Sequence, residues 1–172
     1  MVIAYNFTED VRLALANARE EAKRLGHAYV GTEHLALSVL RSTSGIAAGL
    51  VATIDRAAVI AEIERLAGPG QTTSVQSVDL PYTSRGKRVL ELAMREALEL
   101  SHEEVDVEHL LLGLLREEKG IGAQALRGAG LEVGAARAVV HEASKSTERK
   151  RGRRPSRLLL RFLDWAGWAP RG

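Results

Sequence analysis

Apolar residues fall at alternating steps of four and three through the start of the chain, where Val11, Leu15, Ala18, Ala22 and Leu25 trace one stripe on a helix. Thr8 precedes the stripe as a candidate N-cap, with Glu9 and Asp10 set toward the positive end of the helix dipole. Gly26 offers a left-handed stop. After a short turn, Thr32 is placed to cap a second helix carrying Leu35, Val39 and Leu40, which residues 42–45 break. A short helix from about Ile46 leads to Ile54, and Asp55 is placed to cap a fourth with Val59, Ile60, Ile63 and Leu66 inward. Gly68-Pro69-Gly70 and the polar run 71–77 have no helical period and read as a linker.

The pattern then starts again. Tyr82-Thr83 follows Phe7-Thr8 at an offset of 75, and the same offset matches Gly26-His27 with Ser101-His102, Glu33-His34-Leu35 with Glu108-His109-Leu110, and Gly45-Ile46 with Gly120-Ile121. Two extra residues around 128–130 move the offset to 77, after which Ile54-Asp55 meets Leu131-Glu132. This is a tandem duplication of a four-helix unit. At roughly 60 residues each unit would be marginal alone, so its apolar stripes should be buried against the other copy. The expected fold is all-α, a tandem duplication packed as one pseudo-twofold globule. Its divisions are repeat 1 over 1–67, a linker over 68–81, repeat 2 over 82–143 and a tail over 144–172.

Composition adds exclusions. The 172 residues are 45% apolar and 27% charged, ordinary for a globular chain, and contain no cysteine, which removes disulfides, thiolate nucleophiles and cysteine-ligated zinc. Neither a signal-peptide pattern at the start nor a long apolar run is present, so a cytoplasmic protein that is neither exported by that route nor integral is expected. The net charge of +2 hides an asymmetry: residues 145–172 hold nine Lys/Arg against Glu148 and Asp164, a net of +7, which leaves −5 over 1–144.

Phe-Thr at a helix start, Gly-His and Gly-Thr-Glu-His-Leu after it, Leu-Leu-Gly-Leu-Leu-Arg-Glu in the second helix and then Gly-Ile resemble the Clp repeat. That double repeat forms the N-terminal domain of Clp-type AAA+ unfoldases, and the similarity is nearest to the ClpC branch. The carriers are Phe7, Thr8, Gly26, His27, Gly31, Thr32, Glu33, His34 and Leu35, then Tyr82, Thr83, His102, Glu108, His109, the run Leu110-Leu111-Leu112-Gly113-Leu114-Leu115, Arg116 and Glu117. The resemblance implies a docking module for protein substrates, adaptors or degradation tags that works with Clp ATPase or protease components. The phosphate-binding Gly-x-x-x-x-Gly-Lys-Ser/Thr loop of those ATPases is not in this sequence, so the chain reads as a stand-alone Clp N-domain protein acting in trans or as a piece of something longer.

In the ClpC branch the Glu of the motif holds the guanidinium of phosphorylated arginine. Carried over, the resemblance implies Glu33 in repeat 1 and Glu108 in repeat 2 as those acids, with Thr8, Thr32 and Thr83 near helix starts that can receive a phosphate. The second motif departs from the pattern, because Asp106-Val107 replaces Gly31-Thr32, losing a hydroxyl and adding a negative charge. A different reading is a decoy whose apolar surface around Phe7 and Tyr82 sequesters peptides or antibiotics aimed at a Clp N-domain.

Plainer roles compete for the same residues. An acid in a first helical turn stabilises the helix by about 0.3–1 kcal/mol without any ligand. His34 and His109 precede apolar runs and read as packed, hydrogen-bonded histidines, while His141 falls on the outer face of the last helix. Adjacent Glu-His pairs do not converge as metal ligands do, so no metal and no cofactor is expected. With no nucleophile motif either, the chain reads as a non-enzyme.

The tail poses a separate question. From Ser144 the composition reads as a solvated, charged linker, followed by an apolar segment with a basic edge that includes Arg157, Arg161, Phe162, Trp165 and Trp168. Docking on the body or a partner is favoured first, attachment to an anionic membrane surface second, and nucleic acid last. The last rests on Arg151-Gly152-Arg153-Arg154-Pro155, an imperfect minor-groove motif.

Overall fold

Thr8 and Thr83 each begin a 16-residue helix, α1 (Glu9–Arg24) and α5 (Ser84–Glu99), which coincide at the offset of 75. In both, the threonine hydroxyl accepts a first-turn amide, from Val11 at 3.3 Å and from Gly86 at 3.0 Å. The computed structural model describes residues 6–43, 45–71 and 79–151, the last six as backbone alone. The remaining described helices are α2 (Thr32–Leu40), α3 (Gly45–Val51), α4 (Arg56–Ala67), α6 (Val107–Glu117), α7 (Ile121–Gly128) and α8 (Val133–Arg151). The starts of α4 and α8 differ by 77, so the extra residues between α7 and α8 are taken up in the turn at Ala129 and Gly130. The fold is all-α, two four-helix repeats sharing one core.

The repeats interlock. α3 of the first packs on α6 of the second, and α7 of the second packs on α2 of the first. Two parallel bridges cross in the same reciprocal way, Phe7 with Val105 and Tyr82 with Val30. Their hydrogen bonds are explicit: Thr8 N–H donates to the Val105 carbonyl at 3.1 Å and Val105 N–H to that of Asn6 at 2.8 Å. In the mirrored pair, Thr83 N–H donates to the Val30 carbonyl and Val30 N–H to that of Pro81, both at 2.9 Å. Sandwiched between neighbours, α2 is buried at every position, which is why its sequence shows little polar face.

Each repeat also buries one acid of its first helix against an arginine that follows or ends the second. Arg41 reaches Glu21 at 3.0 Å and Arg116 reaches Glu96 at 2.6 Å. Where Arg24 supports Glu21 in repeat 1, its counterpart is Glu99, and Arg137 of α8 supplies the second cation, 3.2 Å from Glu96. Buried acids of this kind need such partners to avoid a large desolvation cost.

Three expectations change. Thr32 is the first residue of α2 and not its cap; Gly31 takes the cap position, because a histidine ring already satisfies the cap amide. Leu66 is 38% exposed in the last turn of α4, an isolated apolar residue of a kind surfaces commonly carry, while Val59 and Ile63 are buried. The composition break at Ser144 is not a helix end, since α8 runs on to Arg151. Ser144 Oγ donates back to the His141 carbonyl at 2.7 Å within the helix, and the Lys, Glu and Arg that follow are good helix formers. Arg157, Arg161, Phe162, Trp165 and Trp168 lie outside the described residues.

Candidate ligand clefts

His34 shapes the first motif turn. Gly31 N–H donates to its Nδ1 at 2.9 Å, so Nδ1 is an acceptor and the ring proton sits on Nε2, 2.8 Å from Nδ1 of His27. Repeat 2 copies this relay: Asp106 N–H donates to His109 Nδ1 at 2.8 Å, and His109 Nε2 faces His102 Nδ1 at 2.7 Å. His34 and His109 are fully buried. Burial, followed by the neighbouring histidine, pushes both down to about 3, so each stays neutral at ordinary pH. With both ring nitrogens engaged, these are positioning groups that lock the turn before each second helix.

His27, Glu33 and His34 bring three ligand-type atoms within 4.8 Å of one another. His27 faces Nε2 of His34, however, while the Glu33 carboxylate comes to 3.7 Å from its Nδ1. The two lie at different nitrogens of one ring, where a single ion would not meet all three.

The crossing of the repeats decides which residues share a cleft. Thr8 does not join Glu33; its hydroxyl donates to Asp106 Oδ1 at 3.1 Å, beside Glu108. Thr83 lies against Val30, next to Gly31 and Glu33. Each cleft is thus built by the motif turn of one repeat and the first helix start of the other.

The first cleft gathers the starts of α2, α5 and α7. Thr32 Oγ1 donates to Glu33 at 3.4 Å and accepts from the Gly122 amide at 3.4 Å. Gly120 permits this approach, since a Cβ there would stand 2.4 Å from Thr32 Oγ1 and 2.6 Å from Glu117 Oε2. Glu117 accepts from the Gly120 amide at 2.5 Å, and the Arg85 guanidinium lies 3.6 Å from it. A Cβ at Gly31 would fall 2.4 Å from the Glu33 carboxylate, so that carboxylate lies folded over the glycine.

The second cleft has the same frame and a different lining. Asp106 stands for Gly31, Val107 for Thr32, Asp10 for Arg85 and Ser42 for Glu117. Burial, then the nearby Asp106 carboxylate and more weakly Asp10, raises the Glu108 carboxyl to about 7. Glu108 comes within 4.0 Å of where a Cβ on Gly45 would stand, at the start of α3.

Among the implied site residues, Glu33, Thr32 and Thr83 therefore share one cleft, and Glu108 and Thr8 the other. Phe7 and Tyr82 are half-buried against the core at the crossing bridges, with the Arg19 guanidinium 5.7 Å above the Tyr82 ring. Arg85 was not singled out from sequence, and Asp10 and Glu117 were named only as a first-turn acid and a motif residue, although the offset of 75 pairs Asp10 with Arg85.

A duplicated helical domain with crossed repeats and a polar cluster at each motif turn defines the class. The sequence matches the family described as the Clp repeat (R) N-terminal domain over residues 6–128 and again over 82–166, and the chain belongs to that family. It is 44% identical over 143 residues to the ATP-dependent Clp protease ATP-binding subunit ClpC of Staphylococcus saprophyticus, covering 82% of this chain and 17% of that protein. Against the negative regulator of genetic competence ClpC/MecB of Bacillus subtilis the identity is 42% over 144 residues, covering 83% and 17%. The chain thus spans less than a fifth of these relatives. The crystal structure of the N-terminal domain of the chaperone ClpD from Arabidopsis thaliana shares the fold, with a TM-score of 0.64 at 23% identity over 84% of this chain and 97% of that one. No single described helix is long and apolar enough to cross a membrane.

Proposed function

We propose that this chain is a docking module that captures protein substrates, adaptors or degradation tags and modulates a Clp unfoldase or protease in trans. The observation that carries the reading is the first cleft, in which a buried carboxylate, Glu33, sits beside the converging starts of three helices, with Arg85 at the rim. A guanidinium pairs with a carboxylate, and a phosphate is drawn to helix N-termini and an arginine. Phosphoarginine combines both groups on one side chain and fits that pairing of charges. The engaged histidines favour a binding role over catalysis, because neither is free to move a proton at physiological pH.

Calorimetric titration of the full chain with a phosphoarginine peptide tests the tag, with the unphosphorylated arginine peptide as control. Pull-down of purified ClpC and its protease partner tests the machinery. Binding of the phosphorylated peptide alone supports the reading; no binding to either peptide and no captured Clp component defeats it.

A further inference from the structure

We infer that Asp106 is a built-in occupant of the second cleft, so that the double repeat presents one open site for an anion-bearing ligand and one closed by its own carboxylate. The inference deepens the proposed function and rests on it for the identity of the natural ligand. Asp106 sits at the helix start, where an outside anion would bind: its carboxylate accepts from Val107 N–H at 2.7 Å and from the Thr8 hydroxyl at 3.1 Å. In the first cleft the matching residue is Gly31, which has no side chain to meet the matching hydroxyl of Thr83; that hydroxyl accepts from the Gly86 amide at 3.0 Å.

Stereochemistry reinforces the contrast. The space a Cβ would claim at Gly31 holds the Glu33 carboxylate, whereas at 106 a side chain fills the corresponding space, and Glu108 approaches the start of α3. The surroundings act in the same direction. Asp10 and Asp106 flank Glu108, while Arg85 stands at the rim of the first cleft. A phosphate entering the second cleft would meet the carboxylate of Asp106 fixed at the cap position and displace its two hydrogen bonds; entering the first, it would find no side chain at the cap, and would meet Glu33 and the Arg85–Glu117 pair.

The reciprocal pair Asp106→Gly and Gly31→Asp tests this. Backbone strain does not stand in the way, since Gly31 (φ −105°, ψ −176°) and Asp106 (φ −108°, ψ 175°) share one extended conformation, but a side chain at 31 must also push the Glu33 carboxylate aside, so Asp106→Gly is the deciding variant. Calorimetry with a phosphoarginine peptide should give one site in the unaltered chain, two in Asp106→Gly and none in Gly31→Asp. Two sites in the unaltered chain, or one still in Asp106→Gly, would overturn the inference.

Inorganic phosphate supplies a readout that does not depend on the arginine tag. Replacing chloride by phosphate at constant ionic strength should raise the melting temperature of Asp106→Gly by about 2–4 °C more than that of the unaltered chain. Equal shifts in the two would overturn the inference even if peptide binding fails altogether. In that event a larger shift in Asp106→Gly would sustain it, while the phosphoarginine reading alone is lost.

Discussion

The two clefts are built on one frame and lined in opposite ways. Both keep the threonine cap, the histidine relay and the buried glutamate, and these are the groups that fix the backbone. They differ at Gly31 against Asp106, Thr32 against Val107, Arg85 against Asp10 and Glu117 against Ser42, where Asp106, Thr32 and Glu117 each hold a backbone amide in one copy alone. The comparison teaches where such a duplication can specialise. The threonine caps and the histidine rings each satisfy a backbone donor in both copies, while Arg85 and Asp10 at matching positions differ in sign.

The strongest test concerns what the halves share. His34 and His109 titrate near 3 when folded, against an ordinary value of 6.5, so the unfolded chain takes up protons first as pH falls. Their contribution is complete above pH 6.5 and is lost progressively below it, at about 1.4 kcal/mol per pH unit each, on the order of 5 kcal/mol for the pair by pH 4.5. Urea unfolding across that range should show the slope, and replacing either histidine by Gln should flatten it equally. An unequal effect would mean that the relays are not equivalent.

The next effect separates the halves. Glu33→Ala should weaken phosphoarginine-peptide binding by roughly 30-fold, the scale of a charge-assisted pair, and Glu108→Ala by less than about twofold. Similar losses in calorimetry would erase the distinction between the clefts.

A further effect reads the crowding in the second cleft. The folded Glu108 carboxyl holds its proton up to about 7, well above its ordinary 4.5, so its full benefit is present below 4.5 and ionisation costs stability as pH rises through 7. Glu108→Gln should therefore stabilise the chain at pH 8 by about 3 kcal/mol relative to its effect at pH 4. Matched denaturation curves at the two pH values check it, and a pH-independent effect would refute the crowding.

The smallest effect compares the caps. Thr83→Ala should cost about 1 kcal/mol, and Thr8→Ala slightly more, because Thr8 also holds Asp106. Thermal melts of the two variants give the order, and a larger loss for Thr83→Ala would reverse it.

Much of the fold was legible because its signals are local. Thr8 and Asp55 cap the helices they were read to cap, and Gly26 takes the left-handed φ of 75° expected at a helix stop. The offsets of 75 and 77 locate every helix of the second repeat from the first. The clefts were half legible. Glu33 and Glu108 could be named from the motif, but that Thr83 lies beside Glu33's turn and Thr8 beside Asp106 depends on bridges between distant segments, which periodicity does not record. Thr32 was misread for a related reason: a hydroxyl before an apolar run suggests a cap, and only the ring of His34, folded back on Gly31, shows that the cap amide was already satisfied.

The crossed bridges also set a timetable for the chain as it is made. Thr8 waits for Asp106, 98 positions later, so the start of α1 cannot reach its final place until most of the domain has left the ribosome. Until then the first repeat holds an apolar α2 with no α7 to cover it. A nascent chain halted in the linker should be bound by holding chaperones and sensitive to protease, and release of the residues through the end of α7 should end both together. The two halves are one folding unit in time as well as in space.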